Sequence, residues 1–189
     1  MQVQEAQLGV LVAKARAVWH WFNHCCSRIP AGQTLLRINV DQTAICLFQG
    51  NVRGNIFLSS RHTMRQNIAH AVTRTFLTHV AFICDNKEIQ TILPQVLLAS
   101  ERTLTLVELE QLRRTLPPNV KLLRQKSAWM NVANFTSCVR LLGAALAPHR
   151  RAVQPVLLLD ALKQHYNPRS FAACASHRIW PVLVPAKTT

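Results

Sequence analysis

A chain of 189 residues with 49% hydrophobic and 16% charged residues is long enough to bury the core of one domain, and that balance excludes a disordered polymer. Its 22 Lys and Arg against 8 Asp and Glu give a formal charge of +14, which selects polyanions, nucleic acid foremost, as partners; the alternative is a protein that is simply basic. No apolar run is long enough to span a bilayer and no signal-peptide pattern opens the chain, so no membrane partner is expected and the compartment is nuclear, or cytoplasmic in a prokaryote.

The elements follow in order. Leu8, Leu11, Val12, Ala15, Val18, Trp19 and Phe22 recur at helical spacing and predict an amphipathic helix from about Gln4 to Asn23. Ile29-Pro30-Ala31-Gly32 breaks it. From Leu35 to Phe48 the pattern alternates as in a strand, and Gly50 and Gly54 mark a turn before a short strand around Ile56-Phe57-Leu58. The polar stretch from Ser59 to Thr75 reads as a loop or weak helix. Thr78 to Cys84 predicts a strand closed by an Asp85-Asn86 turn, and Gln95 to Ala99 another. Thr105 and Glu108 form a capping-box pattern for a helix that Pro117-Pro118 ends, before a strand at Val120 to Leu123. The clearest helix carries Ala128, Val132, Phe135, Val139, Leu142 and Leu146, with Ser127 as its cap and Pro148 as its stop. A strand from Pro155 to Asp160, a helix from Pro168 to His177 and a strand from Trp180 to Pro185 complete the chain. Strands joined by short turns and then strands alternating with helices predict an α/β fold, its mixed sheet carrying helices on its faces behind an N-terminal helix.

The six cysteines have no CxxC spacing and sit largely in apolar segments, which predicts buried free thiols instead of disulfides or zinc ligands. His20, His24 and Cys25 have a spacing that could hold zinc, but Trp21-Phe22-Asn23 between the histidines offers no general base, so surface histidines are expected. Five glycines frame neither a phosphate-cradling loop nor a GxSxG elbow.

The carboxylates are more informative because they are few: Asp41, Asp85 and Asp160 are the only aspartates. Asp41 lies on the polar face of its strand with Arg37, Asn39 and Thr43, and Asp160 closes an apolar strand with His165 five positions on. If the fold sets the two strands side by side, Asp41 and Asp160 make a pair that repels and is relieved by a hard divalent cation, Mg²⁺ or Mn²⁺. The plainer alternative is a surface Asp41 and an Asp160 that caps the following helix. Asp85 reads as a turn residue.

Five segments taken together, Val40-Asp41-Gln42-Thr43, Thr78 to Phe82, Lys126 to Asn131, Leu157 to His165 and Val184-Pro185-Ala186-Lys187-Thr188-Thr189, resemble the catalytic core of DDE superfamily endonucleases of the pogo and mariner type, transposases with a ribonuclease H-like fold. The resemblance implies a helical segment at 1–30 and a ribonuclease H-like core at 35–189, incomplete at its C-terminus. It implies Asp41 as first metal ligand on the first strand, Asp160 as second at the end of the family's fourth strand, and a catalytic-site His165 that organises the centre without ligating metal. Trp129 and Phe135 would belong to the helix packed on the sheet. DNA is the implied partner and Mg²⁺ or Mn²⁺ the cofactor. Two departures stand out: Ala161-Leu162 replaces the family's Asn-Ala, and the third acidic residue and the preceding helix-turn-helix are missing unless residues 1–30 are a remnant of the latter. The expected function is therefore a metal-dependent DNA endonuclease core with impaired cleavage and strand transfer. The alternatives are a non-catalytic nucleic-acid-binding protein on the same scaffold, or a degraded gene product.

Overall fold

The computed structural model describes residues 2–46 and 76–184; the turn, strand and polar stretch expected between Phe48 and Thr75 lie outside them. Six strands form one mixed sheet in the order β4-β3-β2-β1-β5-β6: β1 (Thr34–Cys46), β2 (Phe76–Cys84), β3 (Gln95–Ser100), β4 (Val120–Gln125), β5 (Val153–Asp160) and β6 (Trp180–Val184). Strands β1, β2 and β3 are successive antiparallel neighbours, whereas β4 joins β3, β5 joins β1 and β6 joins β5 in parallel. The parallel joins need crossovers, and helices supply them: α3 (Leu106–Thr115), α4 (Val132–Leu146) and α5 (Pro168–Ser176), with α1 (Gln2–Ser27) leading and a single turn, α2 (Lys87–Gln90), after β2. The α/β class and mixed sheet match the expectation.

Local chemistry sets the helix ends. Thr105 and Glu108 close a reciprocal capping box on α3, satisfying two amides that would otherwise lack partners. Asn131 caps α4 through the Asn134 amide, correcting the sequence reading of Ser127, whose hydroxyl instead accepts from the Trp129 amide in the preceding turn. The unexpected α2 exists because Asn86 accepts from the amides of Glu88 and Ile89; a four-residue turn is too short to leave an apolar period. Residues 1–30 offer no helix-turn-helix among those described, because Gln2–Ser27 is one continuous helix.

The two sheet faces are covered differently. On the first, Leu36, Ile38 and Val40 of β1, Val80 and Phe82 of β2 and Leu157 and Leu159 of β5 pack against Phe135, Cys138, Val139 and Leu142 of α4. On the second, α3 covers the β3–β4 end through Leu109 against Ala99 and Leu122. At the other end Val18, Phe22 and Cys25 of α1 cover Val156, Leu158 and Val182. Between α1 and α3 no described element covers this face along β1 and β2, where Arg37, Asn39, Asp41, Thr43 and Ile83 are exposed. Strand β5, packed on both sides, is correspondingly an apolar run from Pro155 to Leu159, ended by Asp160.

Gly143 of α4 sits under the imidazole of His177, so that a Cβ there would stand 2.2 Å from Cγ of that ring. Ala for Gly in a helix interior normally stabilises, but here ring or helix must move. Gly143→Ala is expected to lower stability by about 1–3 kcal/mol in urea denaturation, against the usual helix-propensity gain.

Burial pushes the thiols of Cys138 and Cys174 up to about 12 from an ordinary 9.0. Below pH 9 both are protonated folded or unfolded; above it the unfolded chain ionises first, so their contribution is lost as pH rises from 9 toward 12. The expected slope is up to about 1.4 kcal/mol per pH unit for each thiol, read as a pH 8 to pH 10 difference in urea midpoint that is smaller in Cys174→Ala.

Candidate active site

Asp41 is held by β1, whose alternation turns Leu36, Ile38 and Val40 into the core and Arg37, Asn39 and Asp41 to the open face. Asp160 is the last residue of β5. These strands are immediate neighbours, with Ile38 opposite Leu157 and Asn39 opposite Leu158 at the end of their pairing. The pairing ends there, two residues short of each carboxylate, and the strand period assigns both Asp41 and Asp160 to the second face. The fold thus meets the condition on which the pair depends.

The two carboxylates have different surroundings. Asp41 is exposed, and its Oδ1 accepts from the Gln42 backbone amide at 2.7 Å. Asp160 keeps its side chain 44% exposed while its Oδ1 lies against Nδ1 of His165. That oxygen is buried and accepts no hydrogen bond from any other group. His165 Nδ1 also lies 3.2 Å from the Asp160 carbonyl, and Nε2 lies 2.9 Å from the Gln42 side-chain nitrogen. An amide nitrogen only donates, so Nε2 is the acceptor in this arrangement and Nδ1 carries the proton that faces Asp160. The ring is 1% exposed and tilts against Phe135 of α4, centroids 4.4 Å apart. His165 therefore orients Asp160 from below and does not reach a ligand in the open face.

Gln42 is the component that sequence reading missed. It was legible in principle: after Leu36, Ile38 and Val40 it occupies the next inward position of β1, and a polar side chain there needs a buried partner. Asp85 is held elsewhere, accepting from the Arg37 amide at 3.1 Å and pairing with its guanidinium at 2.6 Å. His20 and His24 are exposed on α1, the latter stacked on Trp21, while Cys25 is buried. No group of three or more His, Cys, Asp and Glu suited to a metal occurs among the described residues. The donor set at the strand ends is two carboxylates with oxygen to offer, which suits a hard divalent ion completed by water.

Comparison of the chain with known protein families, with curated proteins and with solved structures returns no match. No described helix is long and apolar enough to cross a membrane.

Replacing His165 removes a buried ring, a tether on Asp160 and the partner of Gln42 together. His165→Ala is expected to cost about 2–4 kcal/mol and Gln42→Ala about 1–2 kcal/mol, with the double variant less than additive. Urea denaturation of the three variants checks this.

Proposed function

We propose that this chain is a ribonuclease H-like core of the DDE endonuclease type that binds DNA across the open face of the sheet. The observation that carries the reading is that Asp41 and Asp160 belong to adjacent parallel strands, each two residues beyond the last pair of the β1–β5 ladder. The strand order supports it: with β4 set aside as an outer strand beyond β3, β5 is the fourth strand of the remaining set and Asp160 is at its end. The charge supports a DNA partner, since Lys126, Arg151, Lys163 and Arg169 are exposed and make no ion pair among the described residues. Lys163 and Arg169 follow Asp160 along the chain, on the turn that holds His165 and in the first turn of α5, where phosphate oxygens would gain charge-assisted hydrogen bonds.

Asp41 and the free oxygen of Asp160 would hold a Mg²⁺ or Mn²⁺ ion, which when bound supplies charge neutralisation to a reacting phosphodiester. The chain's own residues bind the phosphate backbone and fix the second carboxylate by the His165 contact. Two carboxylates are fewer than phosphoryl-transfer centres of the two-metal kind use, so cleavage is slow in this reading.

Nicking of supercoiled plasmid in Mn²⁺ or Mg²⁺ is expected to be slow and to fall about 100-fold or more in Asp41→Asn and in Asp160→Asn; nicking that survives both substitutions sinks the assignment. The scarcity of carboxylates favours a second reading, in which the same face binds DNA without cutting it. Binding that is unaffected by Mg²⁺ and by Asp41→Asn, with affinity falling by about 0.9 log units per log unit of salt for each neutralised phosphate, selects it.

A further inference from the structure

At the edge of the sheet where β5 and β6 begin, opposite to the edge that carries Asp160, lies a half-enclosed cavity of about 620 Å³. Two arginines stand on its wall: Arg150, on the turn that enters β5, and Arg178, on the turn that enters β6, both line it, and no acidic residue does. Neither guanidinium makes an ion pair among the described residues. The rest of the wall mixes the polar Gln33, Gln154 and His177 with apolar and aromatic side chains such as Ile179, Phe171 and Trp180.

Both arginine-bearing turns are pinned by a glutamine amide. Gln33 Nε2 donates to the Arg150 carbonyl at 3.0 Å, and Gln154 Nε2, from a side chain only 5% exposed, donates to the Arg178 carbonyl at 2.8 Å. Gln33 Oε1 is buried without a hydrogen-bond partner. The backbone of Arg178 is a second, independent sign. It occupies the position after the cap of α5, where Ile179 N donates to Cys174 O at 2.9 Å and Arg178 N to Ala175 O at 3.0 Å. That helix-ending motif takes glycine at this position because φ is positive there, yet the residue is arginine at φ 57°, the sole non-glycine with positive φ among the described residues. A strained backbone thus presents a guanidinium to the cavity.

We propose that this cavity is a binding site for a phosphate monoester attached to a planar ring, a ligand of mononucleotide size. Two guanidinium forks on separate turns suit the several oxygens of a phosphate dianion better than a single carboxylate. The volume lies within the range of small-molecule sites and far exceeds a free phosphate, and Trp180 and Phe171 give a ring apolar walls to pack on. The source of this chemistry is either a free mononucleotide or the 5′-phosphorylated end of a strand. The site is independent of the carboxylate pair and of any cleavage.

Isothermal titration calorimetry without metal tests it, with adenosine monophosphate, adenosine, inorganic phosphate and a 5′-phosphorylated oligonucleotide as probes. The monophosphate is expected to bind with sub-millimolar affinity, weakened about tenfold or more by Arg150→Gln and by Arg178→Gly. Arg178→Gly is also expected to melt above the parent chain, since glycine adopts positive φ freely, so that lost binding is not lost folding. A tighter oligonucleotide than monophosphate assigns the phosphate to a strand end, and the reverse assigns it to a free nucleotide; both support the site. Absence of monophosphate binding at about 10 mM, or affinity unchanged in both variants, overturns the proposal. Inorganic phosphate binding as tightly as the monophosphate overturns the ring, and adenosine binding as tightly overturns the anion.

Discussion

The parallel pairing of β1 with β5 is the constraint on which the rest of this structure depends. It joins the antiparallel strands to the part of the sheet that is built by crossovers, and it does so through strands buried against α4 on one face. Because side chains alternate along a strand, one residue of slip would drive Leu157 and Leu159 out of the α4 core and bring Val156 and Leu158 in. The core therefore fixes the register, and the register alone decides whether Asp41 and Asp160 meet. A single packing requirement, met far from the polar edge, sets the geometry of that edge.

His165 extends the same constraint beyond the last paired residues. Asp160 is still paired with Val184 of β6 but lies beyond the end of the β1 ladder, and an untethered carboxylate at such a place would sample many rotamers. Here the ring is clamped by Phe135, receives from Gln42 of β1 and meets Asp160 of β5, so one buried side chain links both carboxylate-bearing strands to α4. The arrangement leaves one Asp160 oxygen occupied and the rest of the group open toward the second face. Among the described residues the Asp41 side chain has no comparable tether, only its neighbour's amide.

Much of this was legible in the sequence, for identifiable reasons. Period-2 alternation from Leu35 placed β1 and the outward set Arg37, Asn39 and Asp41 correctly, and the apolar run ending at Asp160 marked a strand packed on both sides. The capping box at Thr105 and Glu108 gave the start of α3. The α4 cap was misread because Ala128 is buried and fits the helical period although it precedes the helix; Asn131, three residues later, offers the better acceptor. The inward position of Gln42 was legible, but its partner, like the partners of Gln33 and Gln154, was not, for another reason. Each joins residues more than a hundred positions apart or bonds a backbone carbonyl on a distant turn, and no periodicity encodes such pairs.

The two ends of β5 carry opposite chemistry, and their separation matters. From Val153 to Asp160 the strand spans roughly 23 Å at about 3.3 Å per residue, more than twice the screening length of about 8 Å at physiological ionic strength. The cations at the start of the strand therefore do little to offset the repulsion between the carboxylates at its end, and the carboxylates do little to weaken an anion held by Arg150 and Arg178. Any coupling between the two ends must travel through the packed strand and the helices that flank it, chiefly α5, whose first turn follows the His165 segment and whose last turn presents Arg178.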